Sequence, residues 1–323
     1  MPRPSASVLA AIICGLAGSH VCAQSYPVRP VRVVVPFGPG NAGDIIARAI
    51  APHLIQTFKQ NFVIDDRPGA GGNIAAELVA RSAGDGYTIM LATIGTHGIN
   101  PGLYAKLPYD PVKDFAPISM AATSPNMLVL NNNVPAKSVK ELITLAKSKP
   151  GTLNFGSSGV GTSVHLSGEL FNSLAGVKTV HIAYKGAGEA LSDLIAGRNQ
   201  FIFASMSSSI NLVKAGKLRA LAVTSPKRHS AMPDLPTMQE AGVPGFEALA
   251  WFGYLAPAAT PGGLIKTLNA AVVAALQDAE VRDRLAAFGV DPVSSSPEEF
   301  SRFIKEELAK WARVVKESGA QVN

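Results

Sequence analysis

Residues 31–44, VRVVVPFGPGNAGD, hold a β-branched run, a glycine-rich turn and the start of a helical pattern that continues as IIARAI. Valines stiff at χ1 suit a pleated strand, and glycines let the chain turn sharply behind it. Gly38-Pro39-Gly40-Asn41-Ala42-Gly43 is a G-x-G-x-x-G behind a strand. FVIDD, ending in Asp65 and Asp66, follows at about the spacing of a dinucleotide fold's ribose-binding acid. Other residues argue against a nucleotide. Pro36 and Phe37 separate the last valine from the first glycine, and Pro39 lacks the N–H that should face a pyrophosphate. What remains is a strand-loop-helix whose N–H groups and helix N-terminus suit a smaller anion.

A second stretch of the same build is GSSGVGTSVH, residues 156–165. Two anion-binding turns in two parts of one chain suit a small molecule with two anionic ends.

Around these turns short β-branched runs alternate with helical patterns. Strands are expected at Val31–Val35, Phe62–Asp65, Tyr87–Thr93, Met127–Asn131, Leu153–Ser157, Thr179–Tyr184, Phe201–Ser205, Arg219–Ser225 and Ala250–Ala256. The class is therefore α/β, with largely parallel sheets covered on both faces. SVKE (Ser138, Glu141) and SPEE (Ser296, Glu299) are capping boxes that start helices. Pro52 should kink the first helix or mark its weak point. Phe300, Phe303, Ile304, Leu308, Trp311 and Val315 recur at helical spacing, giving a long amphipathic C-terminal helix with Trp311 in the core. Two strand-helix series, one to about Thr123 and one from about Asn126, leave a tail of helices with one strand. A chain that crosses between two lobes and returns accounts for that tail.

The chain has 323 residues and is 47% apolar, enough for two domains of ordinary size. A basic n-region (Arg3), an apolar run from about Val8 to Ala17 and the small residues before Gln24 read as a cleaved secretory signal over residues 1–23. The run is too short to span a bilayer. Both cysteines, Cys14 and Cys22, fall in that signal, so the mature chain has no disulfide, thiolate metal site or cysteine nucleophile. The formal charge of +6 comes from cations scattered singly among acids, which does not point to nucleic acid.

Catalytic and metal motifs are absent. GSSGVG does not place its glycines as a G-x-S-x-G elbow does, and His20, His53, His97, His165, His181 and His229 show no zinc spacing. His97, after the third expected strand, and His165, on the first turn after the second glycine loop, remain candidates for a site. No cofactor is expected.

Beyond single loops, the chain resembles the Bug family, the extracytoplasmic receptors of tripartite tricarboxylate transporters. The resemblance rests on YPVRPVRVVVPFGPGNAGDIIAR, DDRPGAGGNIAA, GDGYTIML, INPGLYAKLPYDPVKDFAPI, GTLNFGSSGVGTSVHL, AYKGAGEALSDLIAG and LRALAVTSPKRHSAMPDLPTMQEAGVPGFEALAWFG, colinear over the mature chain. It implies a two-lobed periplasmic-binding-protein-like fold with the ligand cleft between the lobes. Residues 24–124 plus 247–323 would form lobe 1, and 125–246 lobe 2. It implies a periplasmic receptor, not an enzyme, acting as a monomer that hands a small carboxylate to the membrane subunits of such a transporter. That ligand is most simply a dicarboxylate, aliphatic or aromatic. A ligand-sensing co-receptor of a signalling system is the alternative, and a nucleotide-dependent enzyme the more distant one.

The implied ligand-binding residues are Phe37, Gly38, Pro39, Gly40, Asn41 and Asp44 in the first loop, and Thr93, His97 and Asn100 after the third strand. In the second loop they are Ser157, Ser158, Gly159, Gly161, Thr162, Ser163 and His165, with Ala204 and Ser205 at the end of a second-lobe strand. The family commonly has Pro-Pro-Gly-Gly where this chain has Gly38-Pro39-Gly40-Asn41, and Asn where it has Asp66. Asn41 brings a side-chain donor and acceptor where glycine offers only backbone, which marks it for specificity. A bulky replacement in the second loop, Gly159→Leu, should abolish carboxylate binding by calorimetry while the far-UV circular dichroism stays unchanged. Retained affinity would remove that loop from the site.

Overall fold

The computed structural model describes residues 26–318, so the expected signal and both cysteines lie outside the described residues. β1 (Val31–Val35) is flanked in parallel by β2 (Phe62–Asp66) and β3 (Thr88–Thr93), with Val31 opposite Phe62 and Arg32 opposite Thr88. Strands buried on both faces read as continuous apolar runs, and Val33, Val34 and Val35 are all buried. Helices α1 (Ala42–Phe58) and α2 (Asn73–Ala80) return the chain between these strands. α1 passes Pro52 without ending, and stops at Lys59, whose φ of 55° is left-handed.

After the short helix α3 (Asn100–Leu103), β4 runs from Phe115 to Leu130. Then α4 (Val139–Ser148), β5 (Asn154–Ser157), α5 (Ser163–Ala175), β6 (Val180–Ala183), α6 (Ala187–Ile195), β7 (Phe201–Ser205), α7 (Met206–Lys214) and β8 (Arg219–Val223) follow. β6, β5 and β7 form a second parallel set. The chain returns through β9 (Leu249–Pro257), α8 (Gly262–Gln277), α9 (Ala279–Ala286), the two-residue β10 (Asp291–Pro292) and α10 (Pro297–Ser318). The strand order is β2-β1-β3-β9-β4-β7-β5-β6, with β8 and β10 both on β4.

The expectation of largely parallel sheets is corrected here. β9 lies antiparallel to β3 and β4, and β4 antiparallel to β7 and β8. A chain that crosses between lobes and returns must run its two connecting strands in opposite directions, and an apolar run carries no mark of direction. The expected strand Met127–Asn131 is only the end of β4, because Pro117, Pro125 and the serines and threonines before Met127 obscure the rest. β4 accommodates Pro117 at a register shift, where a ladder donor is not needed.

The strand serves both halves of the sheet. Up to Pro125 it pairs with β9, and from Asn126 it pairs with β7, with β8 on it from Met127. Buried Thr224 clamps this crossing: its Oγ1 accepts from Asn126 N–H at 2.8 Å and donates to Ala248 C=O at 2.6 Å, while its own backbone bonds both residues. On the tail, buried Glu307 of α10 accepts from the indoles of Trp251 (3.0 Å) and Trp311 (2.8 Å), and so ties the helix to β9. The box at Ser296 and Glu299 closes reciprocally, at 3.1 and 2.8 Å.

Thr224→Val keeps the shape but leaves Asn126 N–H and Ala248 C=O unpaired in the core. The expected loss in urea unfolding is about 2–4 kcal/mol; a loss under about 0.5 kcal/mol would show that the crossing does not depend on the clamp.

Candidate functional site

In each parallel set the carboxyl ends of the strands open into loops on one side, which is where α/β sheets place ligands. At the end of β1 the loop is closed upon itself. Asn41, the N-cap of α1, accepts from Gly43 N–H (2.7 Å) and Asp44 N–H (3.3 Å), and its amide nitrogen donates to Gly38 C=O. Asp44 accepts from Gly40 N–H at 2.8 Å, and Gly40 has a φ of 80° that favours glycine. Both ends of the Asn41 side chain are therefore spent on the loop, so it shapes the loop rather than offering a free polar group.

The arginines beside this loop are also engaged. Arg48 pairs with Asp44 and, at 3.2 Å, with Asp66, while Arg67 pairs with Asp65 at 2.9 Å. Burial, and next the neighbouring Asp44 carboxylate, raise the pKa of Asp66. An anion here would meet backbone dipoles and not a guanidinium.

The turn after β2 joins the site although none of its residues is among those the resemblance implies. Gly69, Ala70, Gly71 and Gly72 all have positive φ (131°, 46°, 63° and 93°), a run that turns successive N–H groups into a concavity. Ala70 pays for a left-handed backbone with a Cβ, which marks the turn as held in place from outside. Asn100 does much of that holding: its amide donates to Gly71 C=O (3.0 Å) and to Asn73 Oδ1 (2.7 Å). Gly72 packs against Pro36 and Thr96, joining this turn to the first loop and to the turn after β3. The signal was in view as DDRPGAGG, but its glycines carry no side chain that announces a role.

Thr93 and Thr96 bond each other's backbone, Thr93 N–H donating to Thr96 Oγ1 at 3.1 Å, and so set the π-helical turn Gly95–Ile99. His97, on that turn, lies inside the lobe against the rings of Phe115 (4.6 Å) and Tyr109 (6.0 Å), its Nδ1 on Thr96 Oγ1. The structure thus buries His97 against Phe115 and Tyr109.

The second loop follows β5. Thr162 caps α5, accepting from His165 N–H at 3.3 Å and donating to Gly159 C=O at 2.7 Å. Ser157 Oγ accepts from Gly159 N–H at 3.2 Å, and His165 Nδ1 from Gly161 N–H at 3.3 Å. Left without a partner among the described residues are the hydroxyls of Ser158 and Ser163 and the N–H groups of Val160 and Ser163.

This loop meets the first lobe directly. Gly95 lies against Gly161 C=O, Gly71 against Val160 C=O, and a Cβ on Gly161 would overlap Asn100 Oδ1, a buried acceptor with no partner among the described residues. The structure therefore brings together the first loop, the Gly69–Gly72 turn, Thr93 to Asn100 and the second glycine loop. Ala204 and Ser205 lie at the carboxyl end of β7, parallel to β5, with Ser205 opposite Asn126. Among the described residues no cluster of His, Cys, Asp or Glu could hold a metal, and no helix is long and apolar enough to cross a membrane.

A family model described as the tripartite tricarboxylate transporter family receptor matches residues 46–320. The protein BugT of Bordetella pertussis is 37% identical over 303 residues, covering 94% of this chain and 93% of that one. Among solved structures, Rpa4515 of Rhodopseudomonas palustris with adipate superposes with a TM-score of 0.88 at 40% identity, covering 92% of this chain and all of that one. MatC of the same organism, with bound malate, gives 0.85 at 35% identity, covering 90% of this chain and 100% of that one.

Burial holds the imidazole of His97 down to about 3, well under its ordinary 6.5. Below pH 6.5 the unfolded chain binds this proton and the folded one does not, so the stability contributed by neutral His97 is complete above that pH and falls as pH drops toward 3. His97→Phe, whose ring can pack on Phe115 without titrating, should lose less unfolding free energy between about pH 7 and pH 4.5 than the parent does in urea. Equal losses would show that His97 does not titrate in this way.

Proposed function

This chain belongs to the tripartite tricarboxylate transporter family of receptors, which bind and do not catalyse, and on that premise we propose that it captures a small dicarboxylate in the periplasm and presents it to the membrane subunits of such a transporter. We assign residues 24–124 plus 247–323 to the first lobe and 125–246 to the second, divided where β4 exchanges its partners between Pro125 and Asn126.

The observation that carries the reading is the pair of capped helix starts, α1 at Asn41 and α5 at Thr162, on loops linked by the Gly69–Gly72 turn, which packs on Pro36 at one side and on Val160 C=O at the other. Among the described residues the N–H of Ala42 at the first start and of Ser163 at the second have no partner, and each helix start carries a partial positive charge, so each can take one carboxylate. The hydroxyls of Ser158 and Ser163 add neutral donors at the second. Relatives solved with adipate and with malate support a diacid, and neutral donors allow it to bind and leave without breaking a buried ion pair.

A ligand that binds only the folded protein raises its melting temperature by mass action. Adipate and malate at millimolar concentration should each be tested this way beside NAD, and at least one diacid should shift the transition while NAD does not. A shift with NAD and none across a panel of diacids would overturn the receptor reading.

A further inference from the structure

We propose that His165 and His181, stacked beneath the second glycine loop, are positioning residues of the carboxylate site: they fix the loop's backbone so that its remaining donors face the ligand. The inference rests on the receptor reading and extends it to a residue, His181, outside the expected site.

Gly159 and Gly161 hold φ of 131° and 80°, conformations that a glycine reaches freely and leaves as freely. A loop of this kind binds well only if something else holds it in its bound shape. The N–H of each glycine has one anchor, and Gly159 C=O is held as well by the hydroxyls of Ser157 (3.1 Å) and Thr162 (2.7 Å). Gly161 N–H donates to His165 Nδ1 at 3.3 Å. Gly159 N–H donates to Ser157 Oγ at 3.2 Å, and that oxygen lies 2.7 Å from His181 Nε2. The two anchors share one support, because the imidazoles stack with centroids 4.0 Å apart and His181 stacks in turn on Phe155 at 4.9 Å.

Proton bookkeeping determines the form of His165. A backbone N–H can only donate, so Nδ1 must be bare and the ring proton sits on Nε2, toward Glu169 Oε1 at 3.7 Å. Burial, and for His165 next the neighbouring His181, hold the two imidazoles down to about 3 and about 4. Both are thus neutral at physiological pH, and the loop is supported by an acceptor and a ring stack without a fixed cation beneath the ligand.

The test uses the mature protein with His165→Leu, His165→Asn and His181→Phe. Asn can return an acceptor to the Nδ1 position, Leu cannot, and Phe keeps the stack but drops the bond to Ser157. Titration calorimetry with adipate and malate should show a loss of roughly tenfold for Leu and for Phe, the worth of one hydrogen bond, with affinity recovered in Asn. Nitrogen-15 NMR of the ligand-free parent should show His165 protonated on Nε2 at pH 7, and the Gly161 amide should exchange faster in the Leu variant only. Parental affinity in the Leu variant, or a His165 protonated on Nδ1, would overturn the proposal. If the parent binds no diacid the receptor reading fails, while the tautomer and the Gly161 amide still decide whether the histidines hold the loop.

Discussion

At Asn126 β4 changes partners from β9 to β7, Ala248 lies just before β9, and one threonine hydroxyl binds both. A buried hydroxyl has one proton and accepting lone pairs, and Thr224 uses the proton on Ala248 C=O and a lone pair on Asn126 N–H. Neither peptide group reaches water at that point, so each needs a partner in the core. β4 can therefore leave β9 and join β7 and β8 without exposing an edge, and the loops of both halves are placed relative to one another through that ribbon.

The loops that meet across this frame spend much of their polarity on themselves. Asn41 and Asp44 close the first loop, Thr162, Ser157 and His165 the second, and Asn100 braces the turn between them. A loop rich in glycine loses much entropy when it is ordered, and these internal bonds make that loss before a ligand arrives. The donors left over belong to the backbone and to serines, which suits an anion that must be released again. Packing at the seam is close enough that Gly161 admits no side chain against Asn100. A glycine there serves contact between the lobes as much as it serves the turn.

Much of the fold was legible because its signals are local. Valines mark β1, the boxes at Ser138 and Ser296 start α4 and α10, and the spacing from Phe300 to Val315 gives the buried stripe of the last helix. Residues Phe115–Asn126 were not read as strand because prolines and hydroxyl residues weaken the β pattern. They form strand because β9 supplies a partner as far as Pro125 and β7 from Asn126. The place of His97 after β3 suggests a site residue; the turn there is π-helical and sets its ring against Phe115.

The sequence by itself determined the α/β class, the two glycine-rich helix starts and, by resemblance over the whole mature chain, the receptor family. Those features depend on neighbours a few residues away, or on motifs that survive as text. Only the tertiary structure decided strand direction and the joining of the Gly69–Gly72 turn to the site, whereas Asn41 takes its partners, Gly38, Gly43 and Asp44, from its own loop. A donor is free or spent according to what the folded chain brings within hydrogen-bonding distance, and that distance is set by pairings between residues as far apart as Asn126 and Thr224.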